Sequence, residues 1–183
     1  MRRTEYRKTP DNNAMTKKVV TVWIITVIPL IILFAVYSGN PDSPLLVYLS
    51  EVTRGLPALH SANNPLLSSV MNAWCKTAPL WGAVAFIISY KHIRINSEQT
   101  TGGMLRIVAL FSAFYLPNMY MSLLYSAEIT ESGKLLRVMS YNDYFLVTLF
   151  ITIYTVCYTF TAYYLVVLAA TFKSFCQGRK ASL

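Results

Sequence analysis

Uncharged stretches govern what this chain can fold into. No Asp, Glu, Lys or Arg falls between Val19 and Pro41, between Ile107 and Ala127, or between Tyr144 and Phe172. A fourth stretch, Gly55 to Tyr90, carries only Lys76. Charged residues make up 13% of the 183 residues, against about a quarter in a soluble domain, and the shortfall is concentrated in these runs. Each is near or above the ~20 residues that a helix needs to cross a ~30 Å hydrocarbon core. The pattern predicts an all-α membrane protein of four transmembrane helices, over about 19–37, 67–90, 104–125 and 144–172. The fourth exceeds the minimum, so it has to tilt or project. No internal repeat, low-complexity tract or long linker divides the chain. Residues 1–183 therefore read as a single four-helix transmembrane domain, with 1–18 a basic cytoplasmic tail.

The formal net charge of +8 raises the question of a nucleic-acid partner, and its placement answers it. Arg2, Arg3, Arg7, Lys8, Lys17 and Lys18 precede the first span; Lys91, Arg94 and Arg106 separate the second from the third. Lys173, Arg179 and Lys180 follow the fourth, whereas the other two loops hold only Arg54, Lys134 and Arg137. By the positive-inside rule this asymmetry predicts both termini in the cytoplasm, N-in and C-in. The basic excess encodes topology, and the partner it implies is a lipid bilayer with no nucleic acid. The first span, too long for a cleaved leader's apolar region, reads as a retained signal-anchor. Cys75, Cys157 and Cys176 are far apart and imply no disulfide framework.

The first periplasmic loop carries its own signal. Ser43-Pro44 is a helix start, Leu45, Leu49, Val52 and Leu56 recur at helical spacing, and Gly55 is a stop. A short amphipathic helix is expected there, capping the bundle or lying on the membrane. In the second loop, Glu131-Ser132-Gly133-Lys134 suggests a tight turn, with the β-prone Leu135–Met139 as an extended arm. Asn142 or Asp143 can cap the fourth span, and Tyr120, Tyr125, Tyr141 and Tyr144 fall near the outer interface. Two small-residue faces suit helix packing: Thr148, Thr152, Thr155, Thr159 and Ala162 in the fourth span, and Ala78, Gly82 and Ala85 in the second. Pro29, Pro79 and Pro117 interrupt helices and release carbonyls that need partners.

Catalytic chemistry has no foothold. His60 and His92 have no metal-ligand spacing to another donor, and no nucleophile elbow or phosphate-binding glycine loop occurs. The expectation is no catalytic, cofactor-binding or metal residues, and no enzyme. None of the carboxylates lies within a span, which argues against a proton-coupled carrier. A small transport or channel subunit and a plasmid-type surface or entry-exclusion membrane protein remain compatible with composition.

Lys76 is the one charge well inside a span. Lys91 lies fifteen residues on, about 22 Å along a helix, which leaves Lys76 a turn or more below the outer surface. Its stem can snorkel outward, or its ammonium can face the bundle. Asn72 lies one turn above, on the same helical face. Pro79 frees the carbonyl near Cys75, which the ammonium or the Thr77 hydroxyl can satisfy.

The stretch "NNPLLSSVMNAWCKTAPL", with Asn64-Pro65, Met71 and then Lys76-Thr77-Ala78-Pro79, resembles the second span of the immunity proteins against pore-forming colicins of the colicin A type. Glu128-Ile129-Thr130, Gly133, Arg137 and Asn142-Asp143 resemble that family's stretch leading into the last span, with Ile129 where Leu is usual. Ile28-Pro29-Leu30 is similar to its first span; the third offers little to match. The resemblance implies a multi-pass protein of the bacterial inner membrane that neutralises one cognate colicin. Its partner is the toxin's pore-forming domain, which inserts a hydrophobic helical hairpin. The resemblance implies no cofactor. On this reading Asn72, Lys76, Thr77, Pro79, Glu128, Thr130, Gly133 and Arg137 are the candidates for binding the colicin or organising the bundle.

Overall fold

A computed structural model describes residues 12–90 and 101–181. Arg2, Arg3, Arg7, Lys8, Lys91, His92 and Arg94 lie outside these residues, as does most of the expected 1–18 tail. The chain forms α1 (Asn12–Gly39), α2 (Pro44–Thr53), a two-residue strand β1 (Leu59–His60), α3 (Pro65–Cys75) and α4 (Ala78–Ser89). It continues as α5 (Thr101–Met119), a π-helical turn (Tyr120–Leu124), β2 (Ala127–Glu128), α6 (Lys134–Ser140) and α7 (Asp143–Ala181).

The long α7 is the column on which the other passes rest. α1 runs antiparallel to it: Phe34 packs edge-on against Tyr144, Trp23 donates to Thr155 Oγ1 at 3.0 Å, and Tyr158 OH donates to the Val19 carbonyl at 2.8 Å. α5 is also antiparallel, with Tyr115 and Tyr164 stacked at 4.4 Å and the Tyr115 and Thr161 hydroxyls 3.1 Å apart. α3 and α4 descend alongside α7, from Asn64 beside Asp143 to Gly82 beside Tyr158. The described chain thus passes the bundle's length four times, with the α1 start and the α7 end together. Leu30, Met71, Cys75, Phe150, Tyr154 and Tyr158 form its buried centre.

Thr16–Gly39, Gly102–Leu124 and Asp143–Lys173 are long and apolar enough to cross a membrane, in agreement with the first, third and fourth expected spans. The second differs. It is two helices of 11 and 12 residues, each too short alone, broken at Lys76-Thr77. Pro29 and Pro117 lie inside unbroken helices; only Pro79 divides one.

α2 forms as expected; it presents Leu46 to the protein and leaves Leu45 and Val52, with Leu56 just after it, outward, because its contacts are made with α3. One loop expectation is corrected. Leu135–Met139 is the helix α6, not an extended arm. β2 takes β1 as its partner, and this run closes its own hydrogen bonds as a helix against α7. The polar stripe of α7 serves two tasks: Thr155 receives Trp23, while Thr148 and Thr152 are uncovered and bond back to their own helix.

The Ala78–Gly82–Ala85 face is filled by α7. A Cβ on Gly82 would lie 2.6 Å from the Tyr158 carbonyl oxygen and 2.9 Å from Thr161 Cβ, so only glycine lets these backbones meet. Gly82→Val is expected to cost about 1–3 kcal/mol through overpacking, read as a lower unfolding midpoint in detergent. Gly103→Ala, which meets nothing within 4 Å, is the control; equal midpoints for the two would show that the close approach contributes nothing.

Candidate functional site

The eight candidate residues fall into two groups, one at the α3–α4 break and one in the loop before α7. The break follows from Pro79, which has no N–H to offer the Cys75 carbonyl. The chain tightens there: Thr77 N–H donates to the Trp74 carbonyl at 2.9 Å, and Thr77 Oγ1 donates to the same oxygen at 2.8 Å. Helical bonding resumes with Trp81 N–H on the Thr77 carbonyl at 3.1 Å. Cys75 fastens the break to α7 by donating its thiol to the Phe150 carbonyl at 3.3 Å.

Lys76 turns from this break toward α5. Its Nζ donates to the carbonyl of Leu123, in the π-helical turn that ends that pass. The last carbonyls of a helix have no partner within it, and they form the negative end of its dipole. The ammonium therefore caps a helix C-terminus at the loop end of α5. The expected acceptor near Cys75 is replaced by one from another pass, out of reach of local sequence reasoning.

Asn72, only 2% exposed, donates to the Pro57 carbonyl at 3.4 Å. Asn72 and Lys76 thus take separate acceptors, yet both acceptors lead into the same feature. β1 and β2 pair in parallel, Leu59 opposite Ala127 and His60 opposite Glu128, and Ile129 N–H donates to the His60 carbonyl at 2.7 Å. The two interhelical loops are one unit, which defines the loop end of the bundle.

The second group is a local scaffold in that unit. Thr130 donates its hydroxyl to Glu128, Arg137 Nε donates to the Thr130 carbonyl at 2.9 Å, and Arg137 N–H closes on the Gly133 carbonyl at 2.9 Å. Gly133 has φ 129°, a conformation that side-chain-bearing residues rarely adopt, and it starts α6. Ile129, between the two polar residues, is buried in the core.

A third set lies outside the eight candidate residues. Asn64 accepts from Tyr37 OH at 3.1 Å and donates to Asp143 Oδ1 at 2.6 Å, so one carboxamide joins α1, α3 and the start of α7. Asn63 reaches the Ser140 hydroxyl at 3.3 Å. Asn142 is the cap: its Oδ1 accepts Tyr144 N–H at 2.9 Å and its carbonyl accepts Leu146 N–H at 2.9 Å. The Asn-Pro and Asn-Asp pairs were the available signal, since such residues mark helix starts. Among the described residues no group of three or more His, Cys, Asp or Glu could hold a metal.

Comparison with known proteins gives one consistent picture. The profile of the family described as colicin immunity protein matches residues 42–180. The chain is 31% identical to the colicin A immunity protein of Citrobacter freundii over 153 residues, 84% of this chain and 85% of that protein. It is 28% identical to the colicin B immunity protein of Escherichia coli over 171 residues, 93% and 97% of the two chains. It is 32% identical to the colicin N immunity protein of Escherichia coli over 111 residues, 60% and 81%. No solved structure matches it.

The Asn64–Asp143 contact is testable as a pair. A double-mutant cycle on Asn64→Ala and Asp143→Ala, followed by denaturation in detergent, is expected to give a coupling of about 1–2 kcal/mol for a charge-assisted bond. Strictly additive effects would show that the 2.6 Å contact carries no energy.

Proposed function

This chain belongs to the colicin immunity protein family, and on that premise we propose that it binds the membrane-inserted pore-forming domain of one cognate colicin and keeps its channel closed. The match over residues 42–180 carries the proposal, because it takes in every pass of the bundle except the first. The protein acts as an inhibitor in the bacterial inner membrane, with no catalytic step. α1, α3–α4, α5 and α7 each cross the bilayer, with both termini cytoplasmic and the loop end periplasmic. α3 to α4, residues 65–89, rise about 37 Å at 1.5 Å per residue, enough to cross together.

Residence in the bilayer makes the task tractable. An inhibitor confined to the membrane meets an inserted hairpin at high effective concentration. Moving a channel from 1:99 to 99:1 in favour of its closed state needs about 5.5 kcal/mol of differential affinity, within reach of packing and polar contacts between helices. Lys76 organises the receiving surface: by holding the end of α5 it sets the spacing of the third pass against the second.

Three measurements test this reading. Sensitive bacteria expressing the chain are expected to survive one pore-forming colicin across a dilution series; no protection against any pore-forming colicin would overturn the proposal. Lys76→Leu is expected to accumulate in the membrane yet protect at least about tenfold less, the factor for a ~1.4 kcal/mol loss. Lys76→Arg should retain part of the protection, whereas equal titres for Lys76→Leu and the parent would remove Lys76 from the mechanism. In a cysteine-free background, Ala62→Cys and Ser132→Cys are expected to label from the periplasm and Lys17→Cys only after permeabilisation. Periplasmic labelling at residue 17 would reverse the topology.

A further inference from the structure

We propose that the end of the bundle opposite the loops holds one anionic phospholipid in a trough between α4 and α7. The trough has a volume of about 580 Å³, within the usual range for a ligand site of ~300–1,000 Å³. Phe86 of α4 and Leu165, Leu168 and Phe172 of α7 form its walls, and the small Ala169 leaves room between them. Its polar groups are gathered at one end, where Tyr90 and Lys173 stand. Phe86 and Tyr90 pack edge to face at 5.5 Å, which fixes the Tyr90 ring beside the opening.

This layout is the complement of a single-headed amphiphile. From Leu165 to Lys173 the trough follows α7 for about 12 Å at 1.5 Å per residue, close to one leaflet of a ~30 Å core. An extended peptide would need polar partners along its length, and the walls offer none. An acyl chain needs none. The sign of the headgroup follows from charge. Every carboxylate among the described residues, namely Asp42, Glu51, Glu128, Glu131 and Asp143, lies at the loop end. Lys173 is exposed and has no ion pair among the described residues. A phosphate without a compensating amine gains most from such a mouth, and Lys173 can reach it with its stem along the apolar wall.

The inference rests on the membrane reading and not on the toxin, so it is tested without one. The full chain is reconstituted in nanodiscs of equimolar phosphatidylglycerol and phosphatidylcholine, re-extracted in mild detergent, and the lipids retained per protein are measured by native mass spectrometry. Phosphatidylglycerol is expected to be retained about fivefold over phosphatidylcholine, the factor for one interfacial lysine. Lys173→Gln and the trough-filling Ala169→Leu are each expected to abolish the preference, Lys173→Arg to keep it, and Lys17→Gln, which removes a charge outside the trough, to leave it unchanged. A ratio near one in the parent chain would overturn the site. So would a ratio that falls equally with Lys17→Gln, because that result describes a diffuse basic surface.

Discussion

Backbone polar groups freed by a break in a helix need partners, and the second pass of this protein is built around that constraint. Proline at position 79 removes one N–H in mid-pass, and the helix ends four residues earlier, at Cys75. Each polar group of a broken helix costs several kcal/mol if it is left without a partner in lipid. The side chains at the break anchor it to its surroundings: Thr77 on Trp74, Cys75 on Phe150, Lys76 on Leu123. A residue that looks costly in a span becomes the cap for a neighbouring helix whose last carbonyls need a donor.

That exchange ties a weakly held pass to a strongly held one. α5 rests on α7 through Phe111, Tyr115 and Tyr164 at one end, and Lys76 holds the other. α4 meets α7 backbone to backbone at Gly82, so the break and its lysine are carried on the most closely packed pair in the bundle. Such rigidity leaves less ordering for the moment of binding a partner.

The loops follow the same economy of partners. Two two-residue strands would be negligible alone, but they lie between Asn72 on Pro57 and the Glu128–Thr130–Arg137 scaffold. Asn64 then fastens this unit to the first and last passes. The polar residues in both blocks that carry the family likeness thus build the loop end, and α2, before the first block, and α6, within the second, supply its exposed apolar surface.

Local chemistry determined much of this protein from sequence alone. Uncharged runs set the long helices, because length and apolarity are properties of consecutive residues. Pro79 broke a helix, Asn142 capped one, and Gly133 marked a turn, because φ restriction, short side-chain acceptors and missing Cβ atoms act within a few bonds. Tertiary structure decided the rest. It made Leu135–Met139 a helix against α7 and took the strand partner of β2 from residues 59–60. It rotated α2 so that Leu46 and not Leu45 is buried, because a helix with apolar residues on several sides takes its orientation from its neighbour. It sent Lys76 to Leu123, 47 residues away. A sequence shows that a carbonyl is released and that an ammonium needs an acceptor; which of them meet depends on how whole helices pack.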